Sequence, residues 1–352
     1  MLCPAFVYAV TGSDGKTTTT SLIYEFLKNE GFNCYLGGNI GTPLLDRIEE
    51  IEPEDRVVLE LSSFQLQTMK TSPNVAVITN LSPNHLDIHK SMEEYIDAKK
   101  NIYRYQKESD RLVLSYDNLI TRGFISEAIA NTALFSINDE CSFGSFIRNN
   151  QIIYRENNEE KEIMPISEIK LPGMYNVENI MAAIAAVIPE VGLESIRKVA
   201  KTFGGVEHRN EFVKKVRDVT FRNNSIGSSP TRTIALLKSF DGNVILIAGG
   251  YDKNLSYDEL GAFLPGHIKA LVLMGATAAK IEAAYMNHIE KEGLEPVPVL
   301  KADNMEDAVK KAYNIAQSGD IVLLSPASAS FDLYANFMER GNHFKEIVAG
   351  LE

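Results

Sequence analysis

The chain of 352 residues is too long for one ordinary core and suits two domains, and its 45% hydrophobic and 23% charged content excludes a disordered or fibrous protein. A net charge of −12 argues against nucleic acid or an anionic membrane as the main partner, so any phosphate ligand must be held by local groups against the overall field. Cys3, Cys34 and Cys141 form no disulfide framework and lack metal spacing, which fits a cytoplasmic protein, and no apolar run approaches the roughly 20 residues that span a bilayer.

The opening MLCPAFVYAV lacks a basic start and runs straight into a glycine loop, so it is expected to be a strand and not a signal peptide. From there to about residue 203, β-rich runs alternate with helical patterns. FVYAV, DRVVLEL, NVAVITN and DRLVLSY are apolar enough to be strands buried on both faces of a sheet. TTTTSLIYEFLKN, residues 17–29, predicts a helix ended by Gly31. This βαβ rhythm predicts an α/β domain over 1–203 with a mostly parallel sheet covered by helices. Residues 143–166 alternate like strands joined by polar turns and predict a small antiparallel flap. LPGMYNVENIMAAIAAVI follows as a turn and an apolar helix, with Asn176 as its expected cap. GGVEH, residues 204–208, has the composition of a hinge about which domains could close. Beyond it NVILIAGG, IKALVLMG and DIVLLSPAS are strands separated by helices near 230–240, 277–288 and 304–318, a second, Rossmann-like α/β domain over 204–352. Its ligand is expected beyond the carboxyl ends of those strands, where GGYDK and SPASAS lie.

The stretch TGSDGKTT, residues 11–18, follows a strand and opens a helix. Val10 stands where the full P-loop pattern has its first glycine. What remains still suits an anion: Gly12 and Gly15 allow the backbone N–H groups of Ser13, Asp14 and their neighbours to converge, and the helix start at Thr17 and Thr18 adds its positive dipole end. Lys16 then reaches the phosphates and the Thr17 hydroxyl can ligand Mg²⁺. The plainer alternative is a glycine turn before a threonine-rich helix.

Glu60 interrupts an apolar run at the end of VVLEL, where a P-loop fold places a Mg²⁺-binding carboxylate, although strand-end glutamates are common. ITNLSPNHLDIH sets Asn80, His85 and Asp87 on the same rim, and a loop histidine there is either a metal ligand or merely solvated. Lys99 is more telling. On helical spacing its neighbours are Tyr95, Ile96, Ile102 and Tyr103, an apolar stripe on which an unpaired charge is costly, whereas Lys100 faces Asp97 and Arg104. Lys99 either snorkels to water or is held near the metal site. A neutral lysine amine there could also take up CO₂ as a carbamate, an anionic oxygen ligand.

TGSDGKTTT, GGNIGTPLL, ELSSFQL, NLSPNHLDIH, YIDAKKNIY, LPGMYNVEN, VEHRNEF and LLSPASASFD occur in the order seen in the Mur ligase family, which the chain resembles from about residue 8 to about 348. GGNIG together with ELSSFQL points, within that family, to addition of D-glutamate to UDP-N-acetylmuramoyl-L-alanine in peptidoglycan synthesis. The resemblance implies an ADP-forming ligase: the substrate carboxylate attacks the γ-phosphate of ATP to give an acyl phosphate, and the amine of D-glutamate displaces phosphate. It also implies a central ATP-binding domain over 1–203 and an amino-acid-binding domain over 204–352. By motif matching, Lys16 and Thr17 serve the phosphates and one of two Mg²⁺ ions, Glu60 and His85 serve the metals, and Lys99 matches a carbamylated lysine. Asn39 matches a residue near the reacting carboxylate. Asn176, Asn179, Arg209 and Asn224 fall at ATP-contacting positions, and Ser228, Lys253, Ser330, Phe331 and Phe337 in the surroundings of D-glutamate.

There are departures. The family's first, uridine-nucleotide-binding domain has no counterpart in this sequence, so the chain is expected to bind ATP–Mg²⁺ but the uridine substrate poorly unless that domain is supplied separately. Asn224 stands where an aspartate is usual, Gly227 where alanine is commoner, and Tyr175 replaces a frequent histidine. Three other readings compete: a folylpolyglutamate-type ligase, against which GGNIG and ELSSFQL speak; a non-enzymatic nucleotide-binding paralogue; and a simple P-loop kinase or ATPase, which leaves the second α/β domain unexplained.

Overall fold

The computed structural model describes residues 3–40, 44–82 and 91–352. The chain divides into two compact units, Met1–Phe203 and Gly204–Glu352.

The first unit is built on a nine-stranded sheet. Its strands are β1 (Phe6–Thr11), β2 (Cys34–Gly38), β3 (Arg56–Glu60), β4 (Val75–Ile78), β5 (Arg111–Ser115), β6 (Asn131–Ser136), β7 (Gly144–Arg148), β8 (Gln151–Glu156) and β9 (Glu159–Pro165). They lie in the order β2-β3-β1-β4-β5-β6-β7-β8-β9, parallel from β2 to β7 and antiparallel from β7 to β9. The continuous apolar runs arise because both faces are covered, so alternate residues enter different cores. Tyr8, Val10, Val75 and Val77 pack with Leu22, Phe26 and Ile180 beneath the helices Lys16–Glu30 and Met174–Val187. Ala9, Ala76 and Ile78 pack with Leu66, Tyr95 and Ile102 on the opposite face.

The second unit carries a six-stranded sheet of β10 (Glu211–Val216), β11 (Val219–Asn223), β12 (Val244–Ala248), β13 (Ala270–Leu273), β14 (Val299–Lys301) and β15 (Ile321–Leu324). Its order is β10-β11-β15-β12-β13-β14, parallel except for the β10–β11 hairpin. Ile245 and Ile247 enter one core and Val244, Leu246 and Ala248 the other. The strands run outward from β12 through β14 and then return to β15 on its other side, so the loops after β11, β12 and β15 gather at a topological switch point.

The mostly parallel α/β reading holds for both units, with one local difference. The antiparallel flap expected over residues 143–166 is present as strands β7 to β9, which extend the main sheet through the parallel β6–β7 pair. Asn176 is not a helix cap: the helix starts at Met174, after Gly173, and Asn176 lies inside it with Nδ2 donating to the Pro172 carbonyl at 2.7 Å. No helix among the described residues is long and apolar enough to cross a membrane.

Candidate active site

The glycine loop leaves β1 between its two parallel neighbours, so the ends of β3 and β4 flank it. Gly12 has φ +148°, and a Cβ there would lie 1.9 Å from Thr79 Oγ1. That hydroxyl cannot give way easily, because it donates to the Asp14 carbonyl at 2.5 Å. Ser13 N donates to the Asn80 carbonyl and Asp14 N to Asn80 Oδ1, both at 2.9 Å, so the end of β4 sets the loop's shape. Ser13 Oγ shares a hydrogen bond with the Tyr95 hydroxyl at 3.0 Å. Gly15, at φ +77°, begins the helix, and a Cβ on it would meet Asn179 Oδ1 at 2.2 Å. Gly12→Ala is therefore expected to cost about 1–3 kcal/mol in backbone strain and lost loop contacts, read as a lowered midpoint in denaturant.

Two amines converge on this loop. Lys16 Nζ donates to the carbonyls of Gly12 at 2.9 Å and Ser13 at 2.8 Å. Lys99 Nζ donates to the same Gly12 carbonyl and to Thr11 Oγ1, both at 3.0 Å, and stands 4.9 Å from the Tyr95 ring centroid. Lys99 is only 2% exposed and does not snorkel to water. Burial pushes its amine down to about 7, Lys16 pushes the same way, and Glu60 partly offsets both. Glu60, also 2% exposed, pairs in register with Val10 and Gly38. Its Oε1 accepts from Asn39 Nδ2 at 2.7 Å, while Oε2 is buried with no hydrogen-bond partner. A buried carboxylate oxygen left in that state fits a cation. Thr17, 3% exposed, stands at the helix start beside Lys16, and Thr18 follows it.

The structure thus brings Gly12–Thr17, Lys99, Asn80 and Asn179 to one loop, with Asn39 joined to Glu60 at the end of β3. Asn179 accepts from Thr19 Oγ1 at 3.3 Å and reaches Asn176 at 3.5 Å. His85 and Asp87 lie outside the described residues, and among the described residues no group of three or more His, Cys, Asp or Glu gathers. Thr79 and Tyr95 also shape the loop, although the sequence alone does not assign them to it, and Thr11 at its start lends its hydroxyl to Lys99. Thr11 and Thr79 carry one common signal, a hydroxyl at the end of an apolar strand.

In the second unit the loops after β11, β12 and β15 hold Asn224, Ser228, Lys253, Ser330 and Phe331. Asn224 Nδ2 donates to Ser325 Oγ at 2.9 Å and its Oδ1 accepts from Asn210 N at 3.3 Å, so the amide is used within the fold in both senses. Gly227 lies close under it: a Cβ there would be 2.5 Å from Asn224 Nδ2. Ser228 follows on the same loop. Exposed Lys253 lies 5.5 Å from the Phe331 ring centroid, and Phe331 meets Tyr251 edge-on. Ser330 is buried, and Phe337 opens the helix Phe337–Ala349 against His208. Arg209 follows His208, whose imidazole is pushed below its ordinary value mainly by burial.

Comparison with known proteins shows the family and the fold. The Mur ligase middle domain matches residues 10–187, and the Mur ligase glutamate ligase domain matches residues 208–328. The UDP-N-acetylmuramoylalanine--D-glutamate ligase of Acetivibrio thermocellus is 57% identical over 352 residues, covering 100% of this chain and 76% of that protein. The Clostridium kluyveri protein of the same name is 54% identical over 346 residues, covering 98% of this chain and 74% of its own length. Among solved structures, MurF from Acinetobacter baumannii aligns with a TM-score of 0.66 at 18% identity, over 97% of this chain and 77% of that one. MurF ligase from Thermotoga maritima in complex with ADP aligns at 0.59 and 20% identity, over 98% and 80% respectively. At such identities the structures speak for the fold, while the sequence matches decide the family: this chain belongs to the Mur ligases.

Proposed function

We propose that the chain is an ADP-forming ligase that adds D-glutamate to UDP-N-acetylmuramoyl-L-alanine, with ATP bound at the Gly12–Thr18 loop. The single observation that carries the local chemistry is the buried Glu60 carboxylate, one oxygen of which has no hydrogen-bond partner. Two lysine amines converge on the Gly12 carbonyl. Such an arrangement suits a ligand that brings both anionic oxygens and cations, as a nucleoside triphosphate with Mg²⁺ does.

In the proposed reaction the muramyl carboxylate attacks the γ-phosphorus of ATP as the bond to ADP breaks, leaving an acyl phosphate. The amine of D-glutamate then attacks the acyl carbon through a tetrahedral intermediate, and phosphate leaves. Lys16, released from the loop carbonyls, follows the charge on the transferring phosphoryl group. The backbone N–H groups of the loop and the dipole of the helix Lys16–Glu30 hold the phosphates. Thr17, Glu60 and Lys99, with His85, would hold two Mg²⁺ ions, which when bound neutralise charge on the phosphates. Lys99 would serve as an anionic ligand after its neutral amine attacks CO₂ and loses a proton, which its position near neutrality favours. Asn39 orients Glu60 and the reacting carboxylate. Asn176, Asn179, Arg209 and Asn224 are assigned to ATP by the same reading. Lys253 supplies the cation for a dicarboxylate amino acid, with Ser228, Ser330, Phe331 and Phe337 around it.

Phosphate release should require ATP, UDP-N-acetylmuramoyl-L-alanine and D-glutamate together, measured with and without a supplied uridine-nucleotide-binding domain. Release indifferent to D-glutamate would indicate a simple ATPase. ATP binding with no release under either condition would indicate a paralogue without turnover.

A further inference from the structure

Arg340, on the second unit, has no part in the chemistry above. It is 2% exposed and lies just inside the helix Phe337–Ala349, where the positive end of the helix dipole disfavours a cation. Burial lowers its guanidinium to about 10, with Asp332 only partly offsetting the cost. The hydrogen bonds of its guanidinium go to one hydroxyl and to backbone carbonyls and, among the described residues, none to a carboxylate. A methionine or leucine would fill this volume without that penalty.

Its hydrogen bonds explain its presence. Nε donates to Ser225 Oγ at 3.0 Å and Nη2 to the Ser225 carbonyl at 2.8 Å. Nη1 donates to the carbonyls of Ser328 at 3.1 Å and Ala329 at 2.8 Å. Ser225 Oγ in turn donates to the Phe337 carbonyl at 2.7 Å. The Ala329 carbonyl also accepts from Tyr251 N at 2.9 Å, and Gly250 packs so closely that a Cβ there would lie 3.1 Å from Nη1. One planar fork therefore ties the loops after β11 and β15 to the start of the last helix, and the loop after β12 joins them through the Ala329 carbonyl. These segments carry Ser228, Ser330, Lys253 and Phe337.

We propose that Arg340 is a positioning residue for the amino-acid substrate: its guanidinium holds in register the loops that grip D-glutamate, without touching the substrate. The proposal rests on the ligase reading given above. Lysine keeps the charge but presents no fork, so it cannot span Ser225 and the Ser328–Ala329 carbonyls at once.

The test is steady-state phosphate release by the full chain carrying Arg340→Lys, with Arg340→Met as a second variant whose apolar side chain suits the buried site. Both are expected to raise KM for D-glutamate about tenfold or more, with kcat changed less than about threefold and KM for ATP unchanged. Millimolar guanidinium added to Arg340→Ala should lower KM for D-glutamate again, and methylammonium should not. A merely structural arginine would instead reduce the active fraction, lowering kcat and leaving both KM values alone. Unchanged KM for D-glutamate in both variants, or equal shifts for D-glutamate and ATP, overturns the proposal while the ligase reading stands. A wild-type chain whose phosphate release ignores D-glutamate overturns both.

Discussion

Lys16→Ala is expected to weaken ATP binding at least about a hundredfold, because a charge-assisted contact to phosphate is lost from a site with few other cations. The fold should tolerate the change. The Gly12 carbonyl keeps its hydrogen bond from Lys99, and Lys16 lies at the start of its helix, where an alanine is well accommodated. Calorimetric titration with ATP–Mg²⁺, paired with a thermal melt, separates the two effects. Undiminished affinity in a folded variant would remove the loop from the nucleotide site. Lys16→Arg should recover only part of the affinity, since a planar fork does not replace a compact ammonium reaching out of a tight turn.

Lys99→Met is expected to lower kcat about a thousandfold while making the protein more stable, a combination that marks a residue kept for chemistry at the expense of the fold. Both acceptors of Lys99 retain another partner: Thr11 Oγ1 donates to the Leu61 carbonyl at 2.7 Å, and the Gly12 carbonyl still accepts from Lys16. Little is left unpaired when the amine goes. The sign with pH follows from the lowered value. The unfolded chain holds the lysine proton up to about its ordinary 10.5, whereas the folded chain releases it near 7, so the cost of burial is full below pH 7 and fades as pH rises toward 10.5. The stability gained by Lys99→Met should thus be largest in acid and shrink through that window, as denaturant midpoints taken at several pH values would reveal. If the active form is the carbamate, small carboxylic acids such as acetate should restore part of the turnover of Lys99→Ala. Equal stability of Lys99→Met and wild type at pH 6 would contradict the burial argument; undiminished turnover would contradict the assigned role.

The long apolar strands and the glycine loop were legible in the sequence because each rests on local pattern. Lys99 was legible too, since helical spacing alone sets it among Tyr95, Ile102 and Tyr103. Strands β2, β6, β10, β11 and β14 were not picked out, for reasons visible in their residues: NTALFS of β6 opens on two polar residues and ends on a serine. CYLGG holds two glycines, EFVKKV and VTFRN mix charge into a half-exposed hairpin, and VLK spans only three residues. Asn176 looked like a cap because asparagine favours that place, but Gly173 makes the turn and starts the helix earlier. Arg340 gave no signal at all. In FMERGNHFKEIVA one arginine among polar neighbours looks like any surface residue, and only the three-dimensional gathering of Ser225, Ser328 and Ala329 makes it the most buried cation of its unit.

The seat of Asn179 against Gly15 has a consequence for biogenesis. The loop emerges from the ribosome well before the side chain that closes over its helix start, since 160 residues separate Thr19 from Asn179. A nascent chain halted before that asparagine lacks this restraint on the loop, and nucleotide added to such stalled chains should protect them from protease less well than chains released past the helix Met174–Val187.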